Sequence, residues 1–248
     1  RRPGRHPDRP AVMTGSHLDT QPTGGRFDGI YGVLAGLEVV RTLNDLKLET
    51  DAPVEVAVWT NEEGCRFAPS MGGSGVFAGV LEYEHVMAQK DRAGKSFGDE
   101  LRRIGYMGDA PICGAAVAAY FEAHIEQGPI LEAEKKVIGV VTGGQGKRSY
   151  EVRLTGREAH AGTTPMPARH DPLKAAARVI AGLELIAQDQ APDAVTTVGM
   201  MEVRPNSRNT IPGEVFFSVD MRHPDPQALE AMDLAFRANL DRAVAEHR

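Results

Sequence analysis

Cysteine is scarce in this sequence of 248 residues, which contains only Cys65 and Cys113. Two cysteines cannot build a disulfide framework, so we expect a reducing compartment and place the protein in the cytoplasm. Long apolar runs are missing as well, and none approaches the roughly 18–20 residues that span a membrane. No apolar segment follows the polar stretch 1–7, which argues against a signal peptide. The sequence therefore predicts no membrane partner.

An excess of positive charge is also lacking. The chain has 28 lysines and arginines against 34 acidic residues, a formal net charge of −6. A surface that binds nucleic acid needs basic residues to neutralise phosphates, so nucleic acid is not expected as a partner. The remaining composition, 42% hydrophobic and 25% charged, is typical of a globular protein with a sizeable core. The length allows one large domain or two smaller ones.

The stretch 14–29 carries three polar residues that could hold or orient a metal ion. It overlaps an apolar run, Ala11–His17, that we predict to be a strand, and it precedes a segment, 29–44, with helical periodicity. In α/β proteins, ligands bind where a strand gives way to a loop and a helix. The three residues are His17, Asp19 and Asp28.

Each of these residues also has a simpler interpretation. His17 and Asp19 could be a solvated loop pair, although an imidazole that binds a metal usually donates its other N–H to an acceptor such as Asp19. Asp28 is placed to cap the following helix at its N-terminus. That helix is expected to bury one apolar face. The residues of this face are Ile30, Val33, Leu34, Leu37, Val40 and Leu43.

A second predicted strand, Val54–Trp59, runs directly into the adjacent carboxylates Glu62 and Glu63. Two neighbouring carboxylates at the end of a buried strand repel each other unless a positive charge lies beside them. A metal ion would remove this conflict, since one glutamate could bind it while the other accepts a proton from water. The alternative is an acidic first turn of a helix, which the helix dipole favours.

A third apolar run, Val117–His124, ends in a histidine. Alone, His124 would more often be a core histidine. Three strand ends that each supply His, Asp or Glu favour a metal site instead. Mixed nitrogen and oxygen ligands suit zinc, manganese, cobalt or nickel, and a carboxylate such as Asp28 can bridge two ions.

The second half of the chain follows the order β-α-β-β-α. A split βαβ sandwich requires one further strand. Asp171 and Pro172 are typical of a helix N-cap and first helical residue. Arg222 could bind a carboxylate with its two-pronged guanidinium, although alone it is more often structural. The strands predicted in this half are 150–154, 195–203 and 214–222, and a further strand, 137–141, is predicted just before it. A last helix begins near Pro226.

Five motifs together resemble the M20-type metallo-amidohydrolases. The closer similarity is to the branch that holds N-carbamoyl-L-amino acid hydrolases, allantoate amidohydrolases and β-ureidopropionases. The resemblance covers nearly the whole chain, and the motifs occur in the right order. They are Gly-Ser-His-Leu-Asp-Thr at 15–20, Gly-Gly-Arg-Phe-Asp-Gly at 24–29, Thr-Asn-Glu-Glu-Gly at 60–64, His-Ile-Glu-Gln-Gly-Pro at 124–129 and Ala-His-Ala-Gly-Thr-Thr-Pro-Met at 159–166.

The resemblance implies an α/β fold with two domains. Residues 1–143 would be a mixed-sheet metallohydrolase catalytic domain, incomplete here, and residues 144–248 a smaller α+β sandwich of the split βαβ type. The second domain would act as a lid and form a homodimer. The implied reaction is hydrolysis of a linear amide or ureido C–N bond in a small N-carbamoyl or ureido substrate.

The resemblance also implies a centre of two divalent metal ions, which could be Zn, Mn, Co or Ni. His17 would bind the first ion, and Asp19 would orient this ligand. Asp28 would bridge the two ions. Glu63 and His124 would bind the second ion.

The remaining implied roles concern catalysis and substrate binding. Glu62 would be the general base on the attacking water. His160 would reach the active site of the partner subunit and stabilise the developing oxyanion. Gln127, Asn209 and Arg222 would bind the substrate, the last two through its carboxylate.

The family supplies a last metal-binding histidine that is not recognisable here, because His223 and His247 lie in other settings. We therefore expect an internal fragment of a protein of roughly 400 residues. Two alternatives stay open. One is a dipeptidase or N-acyl-amino-acid deacylase, against which His124 and the following Glu-Gln-Gly argue. The other is an inactive, truncated dimerisation module, which the absent ligand favours.

Overall fold

The computed structural model describes residues 1–112 and 116–246 of the chain, so Cys113 and His247 lie outside the described residues. The chain divides into two compact units, Arg1–Ile138 and Gly139–Arg248. The sequence placed a domain boundary slightly later, between residues 143 and 144. Among the described residues, no helix has both the length and the apolar character needed to cross a membrane.

The first unit is built on three parallel strands in the order β2-β1-β3. Helix α1 follows β1 and packs against β1 and β2. The resemblance implied a mixed sheet. The three strands pair in parallel, as expected for strands joined by long crossovers, and Arg2 adds one antiparallel bridge to Val54 of β2. The elements are β1 (Ala11–His17), α1 (Asp28–Asp45), β2 (Val54–Trp59), α2 (Gly72–Phe77), α3 (Tyr83–Met87), α4 (Phe97–Arg103), β3 (Val117–Phe121) and α5 (Ile130–Ala133).

Helix α1 buries a face of small residues rather than the apolar face that the sequence predicted. Val33 is buried, but Ile30, Leu34 and Leu37 are exposed. The buried side consists mainly of glycines, because the helix lies too close to the sheet for larger side chains. A Cβ atom on Gly29 would lie only 2.3 Å from the His17 ring. The hydrophobic pattern therefore predicted the buried side only in part, since Val33 is buried and Val40 and Leu43 are half-buried.

Two strand predictions, one in the first unit and one at the boundary between the units, differ from the structure. Strand β3 ends at Phe121, so His124 lies in the segment after it. The predicted strand 137–141 is not formed, and its four aliphatic side chains are 82–95% exposed. Strand propensity depends on packing and on a partner for the backbone, and no described strand pairs with this segment.

Helix α4 packs into a small core outside the sheet, and its Glu100 pairs with two arginines. Phe67, Val76, Val86 and Phe97 form this core. The Glu100 carboxylate accepts hydrogen bonds from Arg103 at 2.9 and 3.0 Å and from Arg66 at 2.8 Å. These arginines, Arg103 first, lower the pKa of Glu100 to about 2.

This network predicts a defined acid sensitivity. The folded-state pKa of Glu100 lies below the ordinary value of 4.5, so its ionised form stabilises the fold above pH 4.5 and this contribution is lost as the pH falls towards 2. Thermal unfolding between pH 5 and pH 2 should show a steeper loss of Tm for the wild type than for Glu100→Gln. Glu132→Gln, at an exposed glutamate of α5, is the control and should follow the wild type. Equal slopes for all three proteins would contradict the prediction.

The second unit is an antiparallel sheet with two long helices. Strand β9 pairs with β4 on one side and with β6 and β7 on the other. Alternate residues of β9 are buried and form the core with α6 and α7. The elements are β4 (Gly146–Thr155), β5 (Ala159–His160), α6 (Pro172–Asp189), β6 (Val195–Thr197), β7 (Met201–Arg204), β8 (Thr210–Ile211), β9 (Glu214–His223) and α7 (Pro226–Ala245).

The order of elements in this unit agrees with the β-α-β-β-α pattern read from the sequence. The predicted strand 195–203 is divided into β6 and β7. Asp171 caps α6 as predicted, since its carboxylate accepts the main-chain N–H of Leu173 at 3.0 Å. Within the described residues, no strand pairs with the outer edge of β4.

Candidate metal centre

His17 is the last residue of β1, and only 3% of it is exposed. Its Nδ1 lies 2.7 Å from the main-chain oxygen of Asp19. A carbonyl oxygen can only accept a hydrogen bond, so Nδ1 carries the proton of the neutral ring. The other nitrogen, Nε2, is then left with a free lone pair. Helix α1 fixes the ring from one side through Gly29.

His124 has the same arrangement. Its Nδ1 lies 2.9 Å from the main-chain oxygen of Ile125, so its Nε2 also presents a lone pair. The Nε2 atoms of His17 and His124 are 3.3 Å apart. This proximity follows from the sheet register, because β1 and β3 last pair at Thr14 and Phe121, and the two histidines each lie three residues further on.

Asp28 adds a buried carboxylate to the two imidazoles. It is 1% exposed, and its Oδ1 lies 3.4 Å from His124 Nε2 and 3.7 Å from His17 Nε2. Its Oδ2 is buried without a hydrogen-bond partner among the described residues. The predicted N-cap role is wrong, because Phe27 occupies the cap position and Asp28 is already the first residue of α1. Its carboxylate faces the histidines.

The three side chains fit a divalent metal ion. Two imidazole lone pairs and one carboxylate charge converge there. Burying the unpartnered Asp28 oxygen costs free energy, and a cation would offset this cost. Zinc bound at about 2.0–2.2 Å in tetrahedral geometry separates its ligands by roughly 3.3–3.6 Å. Two of the observed separations, 3.3 and 3.4 Å, fall within that range, and the third, 3.7 Å, lies just above it. His17, Asp28 and His124 thus form a group able to hold a cation.

Asp19 supports the site in a different way from the one expected. Its main-chain oxygen, not its carboxylate, accepts the His17 ring N–H. The carboxylate instead accepts the main-chain N–H groups of Glu62 at 3.2 Å and Glu63 at 3.0 Å. It thereby fixes the turn that carries both glutamates. Glu62 Oε2 lies 3.6 Å from His17 Nε2, at the side of the cluster.

Glu63 lies beside Asp28 rather than beside His124. Burial and the neighbouring Asp28 carboxylate raise the pKa of Glu63, partly offset by a hydrogen bond that Gln21 donates at 3.2 Å. The resemblance grouped Glu63 with His124, whereas the structure places His124 with His17. Asp28 and Glu63 thus bring two carboxylates side by side, and Oδ2 of Asp28 has no hydrogen-bond partner among the described residues.

Two contributors to the site were not found by sequence reasoning. Gly29 allows the helix to approach the His17 ring, and Gln21 holds Glu63. The glycine could have been recognised, because it directly follows Asp28 in a helix with further glycines on the same face. Gln21 had no distinguishing signal in a polar loop.

In the second unit, main-chain contacts of the His160 ring leave its Nε2 as a hydrogen-bond donor. Its Nδ1 accepts the main-chain N–H groups of Gly162 at 3.1 Å and Thr163 at 3.2 Å. The proton of the neutral ring therefore lies on Nε2. The main-chain oxygen of Asn209 accepts the N–H of Ala161 at 3.0 Å, so Asn209 lies next to the same turn.

The other two predicted substrate-binding residues are Arg222, which is paired with an acidic side chain, and Gln127, which is exposed. Arg222 donates to both oxygens of Asp220, at 2.7 and 3.3 Å, and Lys147 lies 3.2 Å from the same carboxylate. Burial alone would raise the pKa of Asp220, but Arg222 and Lys147 together lower it. Gln127 is exposed in the first unit, with a left-handed backbone at φ 54°.

Known proteins resemble this chain over most of its length. The sequence model described as Peptidase family M20/M25/M40 matches residues 13–239. An N-carbamoyl-L-amino-acid amidohydrolase of Rhizobium meliloti is 57% identical over 231 residues, which are 93% of this chain and 56% of that protein. An allantoate amidohydrolase of Bacillus subtilis is 38% identical over 88% of this chain and 54% of its own length.

A solved structure is similar over nearly the whole chain. The crystal structure of an amidase of the hydantoinase/carbamoylase family from Burkholderia vietnamiensis has a TM-score of 0.97 and 60% sequence identity, and the match covers 99% of this chain and 60% of that one. The chain therefore spans little more than half the length of these relatives. The resemblance seen in the five motifs is confirmed, and the chain belongs to the peptidase family M20/M25/M40.

Proposed function

We propose that the protein is a metal-dependent amidohydrolase that cleaves the ureido C–N bond of an N-carbamoyl-L-amino acid, allantoate or ureidopropionate. The observation that carries this proposal is the convergence of His17, Asp28 and His124 at the carboxyl ends of parallel strands. The amidohydrolases that the chain resembles support the substrate class. Because the chain covers 56% of the first of them, the activity of the whole protein stays a proposal.

His17, Asp28 and His124 would hold one divalent ion, and Asp28 with Glu63 would hold a second. Their nitrogen and oxygen donors suit Zn, Mn, Co or Ni. A cation held there would act as a Lewis acid towards the substrate carbonyl and would make water a nucleophile near neutral pH. Asp19 would keep the two glutamates beside the ions, because its carboxylate accepts the main-chain N–H groups of Glu62 and Glu63.

Glu62 would move the proton in this reaction. Its carboxylate lies beside the cluster, 3.6 Å from His17, while its main chain is held by Asp19. It would take a proton from the attacking water and deliver it to the nitrogen that leaves the substrate carbonyl. A general acid–base of this kind typically contributes about 10²–10⁴-fold to the rate.

Residues of the second unit would contribute binding. His160 would reach the active site of the partner subunit and donate its Nε2–H to the developing oxyanion there, a role supported by the two main-chain N–H groups that fix its tautomer. Asn209 and Arg222 would bind the substrate carboxylate, with Gln127 as a further polar contact. Arg222 would bring its guanidinium already oriented by Asp220. We also propose a homodimer through the second domain, residues 144–248, and a place in the cytoplasm, which the scarcity of cysteine favours.

Metal removal and a substrate panel test the proposal together. Protein treated with a chelator should release no ammonia from N-carbamoyl amino acids or allantoate, and addition of Mn²⁺, Co²⁺ or Zn²⁺ should restore release. The reloaded protein should hydrolyse carbamoyl substrates faster than dipeptides or N-acyl amino acids. Faster turnover of dipeptides would favour the peptidase alternative, and activity that survives complete metal removal would contradict the proposal.

A further inference from the structure

A chain of hydrogen bonds joins side chains from all three strands of the first unit near the histidines. The indole N–H of Trp59, in β2, donates to the hydroxyl of Tyr120, in β3, at 2.9 Å. That hydroxyl has one proton and two acceptors within reach, Glu122 Oε2 at 2.9 Å and the main-chain oxygen of Gly15 at 3.1 Å. The carboxylate is the closer and the charged acceptor, so the proton goes to Glu122.

Ser16 completes this chain from β1. Its side chain is fully buried, and its hydroxyl donates to the other oxygen of Glu122 in a very short contact. Burial raises the pKa of Tyr120 to about 12, so the phenol stays a donor at neutral pH. We call Trp59, Tyr120, Glu122 and Ser16 the strand-end network. Its hydrogen bonds run from Trp59 to Tyr120 to Glu122, where Ser16 joins from the opposite side.

The network lies where the main-chain pairing of β1 and β3 has stopped. The last described pair of that ladder is Thr14 with Phe121. Beyond this pair, the hydrogen bond from Ser16 to Glu122 links the two segments directly. Ser16 immediately precedes His17, and Glu122 is two residues before His124. This side-chain contact thus joins the two segments that carry the imidazoles.

We propose that Glu122 is a positioning residue that sets the distance between His17 and His124. The proposal rests on the proposed metal centre, because it concerns how tightly the two imidazoles hold a cation. Two oxygens of one carboxylate receive donors from β1 and β3, which ties the two ligand-bearing segments together. Removal of the carboxylate leaves Ser16 and Tyr120 without their shared acceptor and lets the segments separate.

The test is the affinity of the metal-free protein for Co²⁺, followed by titration of its visible absorption. Glu122→Ala should weaken binding by about 10–100-fold, the effect expected for a partner that orients metal ligands. Glu122→Gln should fall between Ala and wild type, because its single amide oxygen can serve only one of the two donors. Glu132→Gln, at an exposed glutamate of the same unit, should bind like the wild type.

Two further measurements separate positioning from a general loss of stability. Ser16→Ala combined with Glu122→Ala should bind Co²⁺ no more weakly than Glu122→Ala alone, because both changes remove the same contact. Trp59 is the single tryptophan of the chain, so its fluorescence should report the altered network in metal-free Glu122→Ala. If Glu122→Ala lowers Tm but binds Co²⁺ as the wild type does, the inference is wrong. If the wild type itself binds no Co²⁺, the proposed metal centre fails and the inference with it.

Discussion

Glu62→Gln is expected to lower kcat for ammonia release by about 10²–10⁴-fold while metal content stays unchanged. The amide has the size and shape of the carboxylate but cannot take a proton from water. Metal binding should persist, because the grouped ligand atoms belong to His17, Asp28 and His124. The turn should also persist, since Asp19 holds it through the main chain. The measurement is steady-state kinetics on an N-carbamoyl amino acid together with metal analysis of the same samples.

Glu132→Gln serves as the matched control, because it makes the same chemical change at an exposed position. It should retain wild-type kcat and metal content. Glu62→Gln with full activity would exclude Glu62 as the proton carrier. A variant that has lost both activity and metal would instead make Glu62 a ligand. The experiment therefore distinguishes the two roles that its position, 3.6 Å from His17 Nε2, leaves open.

The sequence was sufficient to place the polar groups at strand ends. His17 ends a compact apolar run, and His124 follows another; parallel neighbours deliver such residues to the same edge of a sheet. This reasoning requires only that the strands be adjacent, which the order β2-β1-β3 provides. The five motifs then indicated the family, and the comparisons confirm it.

The sequence could not give the details that depend on close tertiary contact. The buried face of α1 is set by how near the helix lies to the His17 ring and the sheet, and hydrophobic periodicity contains no information on that distance. The segment 137–141 has the composition of a strand but lacks a described partner. The function of the Asp19 carboxylate depends on where the turn with Glu62 and Glu63 folds back, which local sequence does not determine.

Asp28→Asn is expected to abolish metal binding and activity, yet to stabilise the metal-free protein. The wild-type carboxylate is buried, has one oxygen without a partner and faces two imidazole lone pairs. The introduced amide removes the negative charge, and its NH₂ group can donate to the Nε2 of His17 or His124. Satisfying a buried acceptor in this way is worth about 1 kcal/mol per hydrogen bond. Metal-free Asp28→Asn should therefore unfold at a higher temperature than the metal-free wild type.

Addition of metal should reverse this order. A ligand present at one hundred times its Kd stabilises the folded state by about 2.7 kcal/mol. For a chain of this size, that corresponds to an increase in Tm of roughly 5–11 °C. The wild type should show this increase with Zn²⁺ or Co²⁺, whereas Asp28→Asn should show none. Thermal unfolding of both proteins, with chelator and with metal, measures all four values. A metal-dependent rise in the variant equal to that of the wild type would show that Asp28 is not a ligand, and a lower metal-free Tm in the variant would show that its buried carboxylate is satisfied without a cation.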